Sequence, residues 1–425
     1  MKIGIDASRA NRDYKSGTEW YAYHIIRWLA KLDKKNKYIL YSDKPLKGGL
    51  IDLCSEDNAD VKNLKLDIGK DNFQKIRSPH NNFKAKILKW PFKYFWTQGR
   101  LSIEMIFNKP NILFIPAHAL PIIHPKKSIV TIHDIGYERD KTLYEKEEIG
   151  AEDCRIKKII NIFVRLLSFG KYGANSVDYL KWSTKYASKK AYKVIAPSNF
   201  TKNDIKNLFK KEFNKIEVVY HGYNINLYKK INDENKIEKI LDKYEIKRPY
   251  LLYIGRIEKK KNISALVEAF AIFKEKNKDD KHKLILVGAA SYGYDEVNYM
   301  INEFGIEGDV IMPGWVEESD IPYLHNGARA FIFPSKYEGF GMPLLQAMAC
   351  EVPIIASDRA SIPEITDQAA FLFNPDSVRS ISQAIEKIIY NEDLRLKLIQ
   401  EGKKRIENFS WEKTAERTLE ILNKS

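Results

Sequence analysis

Two doubly wound α/β domains are what this chain predicts, on three observations. Short apolar runs alternate with longer amphipathic stretches, the pattern of βα units around a parallel sheet. That alternation occurs twice along the chain. A length of 425 residues with 44% hydrophobic content suffices for two cores of about 150 to 200 residues each.

Strands in the N-terminal half are expected near Ile3 to Asp6, Lys37 to Tyr41, Ile112 to Ile115, Ile129 to Ile132 and Lys193 to Ala196. The amphipathic stretch Tyr21 to Leu29 follows the first of them. In the C-terminal half strands are expected near Tyr250 to Ile254, Lys283 to Val287, Val310 to Met312, Ala330 to Phe333 and Pro353 to Ala356. Between the halves Tyr228 to Asn235 is polar and charged, which places the junction near Gly222 to Lys230. Doubly wound domains bind ligands outside the carboxyl ends of their strands, so two of them facing each other predict a site in the cleft between them.

A net charge of +15, from 71 Lys and Arg against 56 Asp and Glu, calls for a solvent-side reason: anionic lipid, nucleic acid or phosphorylated substrates. Richness in Lys, Ile and Asn from genome composition is the plain alternative. The three cysteines, Cys54, Cys154 and Cys350, form no Cys-x-x-Cys pair, which implies neither a disulfide framework nor a thiolate zinc site. The N-terminal Met1 to Ala7 reads as a core strand and not as a signal peptide. No apolar run approaches the length of a transmembrane helix. A cytoplasmic location is therefore expected.

Chemistry is sought in the loops that follow strands. Pro334 to Pro343 follows the apolar run Ala330 to Phe333 and precedes a helix-like stretch. Unpaired N–H groups in a first helical turn favour an anion, Gly339 and Gly341 let it approach, and Glu338 could hold sugar hydroxyls. An ordinary turn that needs glycine for positive φ is the plain alternative. Gly255 to Asn262 follows Tyr250 to Ile254 and sets Arg256 and Lys261 at another strand end, where a solvated lysine cluster is the simpler reading. His133 and Asp134 follow Ser128 to Ile132 in the same manner, and Ser16 to Trp20 places Gly17 after the first strand. No Asp-x-Asp, paired-histidine metal motif or P-loop occurs, so a bound diphosphate would be neutralised by side chains.

These residues resemble those of the retaining nucleotide-sugar glycosyltransferases of family four, the glycosyl transferases group 1. The run Glu338 to Gly341 matches the family's Glu-Gly-Phe-Gly segment, while the family's second Glu, eight positions on, is Gln346 here. A Gln keeps one hydrogen bond through its amide oxygen but loses the charge-assisted pairing with a ribose hydroxyl, which predicts altered nucleoside binding. The resemblance implies a GT-B fold, with residues 1–225 as the acceptor domain, completed by a C-terminal helix at 405–425 that contains Trp411, and 226–404 as the donor domain. It implies catalytic roles for His133, Arg256, Lys261 and Glu338. It further implies donor contacts from Gly17, Arg256, Lys261, Met312, Glu338, Gly339, Phe340, Gly341, Met342, Pro343, Leu345 and Gln346. No metal ligand, and no cofactor beyond the nucleotide sugar, is implied.

The activity so implied is metal-independent, retaining transfer of a sugar, with mannose as the guess, from a nucleotide-diphosphate sugar to a glycan or lipid-linked glycan acceptor. Two basic amphipathic stretches, Cys154 to Lys171 and Trp90 to Arg100, suit an anionic membrane surface at the inner face of the cell membrane, or simply a core helix with a solvated charged face. Three rival readings stand beside it. One is an inactive nucleotide-sugar scaffold, suggested by Gln346. Another is a basic nucleic-acid-binding protein, for which no recognised motif occurs. The last is an epimerase or phosphorylase on a similar fold, which would consume no acceptor.

Overall fold

Strand β1 (Lys2–Asp6) is apolar from Ile3 to Ile5 and small at Gly4, where a Cβ would come within 2.6 Å of the Tyr41 ring. It can therefore be covered on both faces, and it runs through the middle of a sheet. The structure is a computed structural model that describes residues 1–55, 68–69, 71–91, 95–144, 161–162, 164, 171–210 and 212–425. Its packing divides into two units, Met1–Glu138 with Glu145–His221 and Trp411–Ser425, and Arg139–Tyr144 with Gly222–Ser410.

In the first unit β1 is joined by β2 (Lys37–Ser42), β3 (Phe73–Gln74), β4 (Phe83–Ile87), β5 (Ile112–Ile115), β6 (Ser128–Thr131), β7 (Lys193–Ala196) and β8 (Ile216–Val218) in the order β3-β4-β2-β1-β5-β6-β7-β8. Pairing is parallel except between β3 and β4. β5 and β6 are buried along their whole length, as parallel strands covered on both faces must be. The winding reverses between β1 and β5. After β1 the helix Gly17–Leu32 starts where the Glu19 carboxylate reaches back to accept from the Ser16 backbone N–H at 3.2 Å, and it is buried around most of its circumference, with Tyr21, Ile25, Ile26 and Leu29 fully enclosed. The C-terminal helix Trp411–Asn423 packs on it: the Trp411 ring stacks on His24 at 4.9 Å, and Thr414 Oγ1 donates to the Tyr220 carbonyl at 2.8 Å.

The second unit is a six-stranded, wholly parallel sheet built from β9 (Tyr250–Ile254), β10 (Lys283–Val287), β11 (Val310–Gly314), β12 (Ala330–Phe333), β13 (Ile354–Ser357) and β14 (Ala370–Phe373), in the order β11-β10-β9-β12-β13-β14. The chain winds from β9 toward β11, returns to β12 beside β9, and winds out the other way. The reversal between β9 and β12 is the topological switch point, where such sheets hold ligands.

The unit limits differ from the expected 225/226 and 404/405. Tyr228 is 3% exposed and packs with His325, rings 6.5 Å apart, so the chain has joined the second core before Lys230. Residues 405–410 stay with the second unit because the Arg405 guanidinium donates to the Glu364 and Ile365 carbonyls at 2.7 and 2.9 Å and Phe409 lies edge-on to Phe340. Of the two basic stretches, Cys154 to Lys171 lies outside the described residues except at 161, 162, 164 and 171, as do Phe92, Lys93 and Tyr94 of the other. Among the described residues no helix is long and apolar enough to cross a membrane.

Candidate active site

At the switch point of the second unit the loops leaving β9 and β12 are tied together twice. The Lys336 backbone N–H donates to the Lys260 carbonyl at 2.9 Å, and Lys261 Nζ lies 2.5 Å from Glu338 Oε1. Both side chains of that ion pair are largely buried, 15% and 10% exposed. A cation and a carboxylate are thus held next to each other at the carboxyl ends of the two central strands. Arg256 lies on the same loop, its side chain 59% exposed, with Nη2 3.6 Å from Glu258 Oε2. The Lys260 ammonium approaches the other oxygen of Glu258 at 3.7 Å. Glu258 therefore anchors two cations on one loop. It was not anticipated, although its place two residues from each in the sequence was a signal.

Glycine closes the ends of β9, β10 and β11. The Gly255 N–H donates to the Val287 carbonyl at 2.9 Å and the Gly288 N–H to the Gly314 carbonyl at 2.8 Å. Gly288 has φ +149°, and a Cβ there would fall 1.9 Å from the Gly255 carbonyl oxygen. Only glycine lets β10 end against the cationic loop. On the β12 side Gly341, φ +97°, precedes the helix Met342–Ala349, which has Pro343 in its first turn. The single Ser361 Oγ–H lies within reach of the carbonyls of Glu338 and Phe340, at 2.9 and 3.1 Å, and is shared between them, fixing the loop that carries the carboxylate. No sequence signal pointed to Ser361.

The remaining expected donor contacts divide by burial. Gly339 and Phe340 are buried, the latter 4% exposed against Phe409. Leu345 is fully buried, so its side chain belongs to the core and not to a ligand surface. The helical period that brings position 345 under the helix explains this. Met342, Pro343, Met312 and Gln346 are half-buried. Gln346 hydrogen-bonds the Tyr228 side chain, whose hydroxyl donates to Glu318 Oε1 at 3.1 Å; burial and that carboxylate hold the phenol well above its ordinary range.

Gly17 and His133 belong to the first unit. Gly17 is the first residue of the helix after β1. His133 ends the run from β6, with Nε2 3.0 Å from the Pro116 carbonyl and Nδ1 3.2 Å from His221 Nε2. A carbonyl only accepts, so Nε2 carries the proton and Nδ1 accepts from His221. Both ring nitrogens are therefore engaged by protein, and a sugar hydroxyl gains one only by exchange. Burial lowers the pKa of His133, lowers that of His221 strongly, and lowers that of His118 to about 4. Near the carboxyl end of β1, Asp6 accepts from Ser8 N and Oγ at 3.0 and 2.6 Å and is raised by burial, and Arg9 pairs with Glu19 at 3.3 Å. Among the described residues no group of three His, Cys, Asp or Glu side chains is arranged to hold a metal ion.

The fold of the chain is that of solved GT-B glycosyltransferases. Sucrose-phosphate synthase from Thermosynechococcus elongatus superposes with a TM-score of 0.70 at 16% identity, covering 100% of this chain and 98% of that one. HepE from Anabaena, in complex with UDP-glucose, gives 0.67 at 15% identity with 100% of both chains covered. Residues 233–405 match the family described as glycosyl transferases group 1. O-antigen chain mannosyltransferase B of Escherichia coli is 30% identical over 364 residues, 85% of this chain and 90% of that protein. The chain belongs to the glycosyl transferases group 1 family, and it is a glycosyltransferase.

Proposed function

We propose that the chain transfers a hexose, with mannose favoured, from a nucleotide-diphosphate sugar to a glycan or lipid-linked glycan acceptor in cell-surface polysaccharide assembly, with retention of anomeric configuration and without a divalent metal or other cofactor. The observation that carries this reading is the Lys261–Glu338 pair at the switch point, with Arg256 on the same loop. Mannose and polysaccharide assembly rest on likeness to the O-antigen chain enzyme.

In this mechanism the bond between the sugar's anomeric carbon and the diphosphate oxygen breaks, and negative charge grows on that oxygen. Arg256, and Lys261 once it leaves Glu338, stabilise it with positive charge and hydrogen-bond donors. The acceptor hydroxyl attacks on the same face, and its proton passes to the departing phosphate oxygen. No enzyme nucleophile takes part. Glu338 orients sugar hydroxyls once Lys261 turns to the diphosphate. His133, a neutral ring held at both nitrogens, enters by exchanging a protein hydrogen bond for one to the sugar. The donor contacts of Gly17, Met312, Gly339, Gly341, Met342 and Pro343 are part of the same reading, and those of Phe340 and Leu345 are confined to backbone.

The net charge of +15 fits a cytoplasmic enzyme held peripherally at an anionic membrane face. The test is product stereochemistry: with GDP-mannose, a mannoside acceptor and EDTA, NMR of the product should show the donor's α configuration. A β product, or turnover only after divalent metal is restored, would overturn the corresponding part. The scaffold reading has Gln346 behind it and predicts nucleotide binding with no transfer to any acceptor.

A further inference from the structure

We propose that a cavity in the first unit holds the hydrocarbon chain of the acceptor, so that the acceptor is an amphiphile whose glycan is carried on a lipid oxygen. This rests on the glycosyl-transfer reading above. The cavity has a volume of about 530 Å³ and is walled by Phe95, Ile122, Tyr172, Tyr179 and Trp182, a size and lining typical of small-molecule sites. Its rings brace one another. Phe95 meets Tyr179 edge-on at 5.8 Å, Tyr179 lies 6.3 Å from Trp182, and Trp182 stacks on Tyr186 at 5.7 Å. Such walls keep their shape without a ligand, which lowers the ordering cost of binding one.

One polar group in this lining points to the ligand's chemistry. Gln98 is 6% exposed and lines the cavity from a π-helical turn, Thr97–Leu101. Its Oε1 accepts from the Tyr179 hydroxyl at 2.8 Å, and its Nε2 has no hydrogen-bond partner. Turning the amide over leaves the oxygen orphaned instead, so one of its two polar atoms is unsatisfied in either orientation. A buried amide left unpaired is destabilising, and native proteins rarely keep one without a use for it. Asp178 also lines the cavity, but its Oδ2 already accepts from Gly173 N at 2.8 Å and Asn175 Nδ2 at 2.9 Å, so Gln98 supplies the polar atom left for a ligand, and a hydrocarbon chain with a single oxygen at its head matches it.

The position fits an acceptor. Thr97, next to Gln98, has Oγ1 3.5 Å from Asp6 Oδ2 at the carboxyl end of β1, beside the winding reversal of that sheet. A ligand oxygen at Gln98 would therefore lie one residue from a side chain that reaches the carboxyl end of β1, the end at which doubly wound sheets hold ligands.

The test is calorimetric titration of the full chain, without donor, using methyl, decyl and geranyl α-mannosides below their micelle concentrations. Each methylene seated in the cavity should tighten binding about fourfold, so the decyl or geranyl mannoside should bind at least about a hundredfold more tightly than the methyl one. Geranyl ahead of decyl would mark an isoprenoid carrier, and decyl ahead of geranyl an acyl lipid. Trp182→Ala and Ile122→Asp should remove most of the gap. Ile122 is 55% exposed, so its variant decides the matter if Trp182→Ala does not fold. Equal binding of the three mannosides, or a gap that both variants keep, would overturn the proposal. No donor is present, so absence of glycosyl transfer in a separate assay would sink the proposed function without touching this result.

Discussion

Lys261 Nζ meets Glu338 Oε1 at 2.5 Å and joins the loops leaving β9 and β12, the two strands between which the second sheet reverses its winding. With both side chains largely buried, each charge depends chiefly on the other for a partner. Lys261→Ala should lower kcat by about a hundred- to a thousandfold and lower stability by about 3 kcal/mol through the stranded carboxylate. The double variant Lys261→Met with Glu338→Gln should regain much of the melting temperature and none of the activity. Melting curves and initial rates on the three proteins separate the two effects, and recovery of activity in the double variant would refute the assigned roles.

Gly288→Ala should damage the site without touching a ligand group. Its Cβ would lie 1.9 Å from the Gly255 carbonyl oxygen, so the cationic loop must move. A stability loss of about 1 to 3 kcal/mol and a weaker response to nucleoside diphosphates in thermal-shift assays are expected. Unchanged nucleotide response would show that the loop geometry after β9 is not needed for binding.

Gln346 is matched to its neighbours. It hydrogen-bonds Tyr228, whose single hydroxyl proton goes to Glu318. A Glu at 346 would compete with Glu318 for that proton, so Gln346→Glu should lower the melting temperature and raise the donor KM, and adding Glu318→Gln should reverse both. A large rise in turnover from Gln346→Glu alone would instead favour impaired donor binding in the natural chain.

Stability should fall on acidification because several histidines are buried neutral. His325 is fully buried, neither ring nitrogen has a partner, and burial lowers it to about 3; His118 is lowered to about 4. The folded pKa lies below the ordinary value of 6.5 in both cases, so the unfolded chain takes up protons first. Their contribution is complete above about pH 6.5 and is lost as the pH falls toward the folded values. From about pH 7 to pH 5 the loss at His325 should be about 2 kcal/mol. Denaturant titrations of wild type and His325→Phe should show a shallower pH dependence in the variant; parallel curves would contradict this.

Much of the fold was legible because parallel strands covered on both faces are runs of apolar residues. All ten expected strands are present, most within a residue of their limits. β3, β4, β8 and β14 escaped notice. β3 and β8 are two and three residues long, and β4, Phe-Lys-Ala-Lys-Ile, shows only a two-residue alternation with lysine on the other face. The place of Arg256, Lys261 and Glu338 in the loops leaving β9 and β12 was legible because each loop follows an apolar strand run. Ser361, Glu318 and the second hydrogen bond of His133 were not, because each is joined to its partner across the sequence by folding alone. The apolar cavity was equally hidden, since Gln98, Ile122 and Trp182 come from three separate segments.

The claim on which the rest depends is that Arg256 and Lys261 hold the donor diphosphate. Calorimetric titration of wild type, Arg256→Ala and Lys261→Met with GDP-mannose, UDP-glucose and the free diphosphates, all in EDTA, tests it directly. One donor and its diphosphate should bind to wild type, with affinity lowered by at least about tenfold in each variant, the loss of a charged hydrogen bond. Equal affinity in all three proteins, or binding that appears only when a divalent metal replaces EDTA, would contradict it.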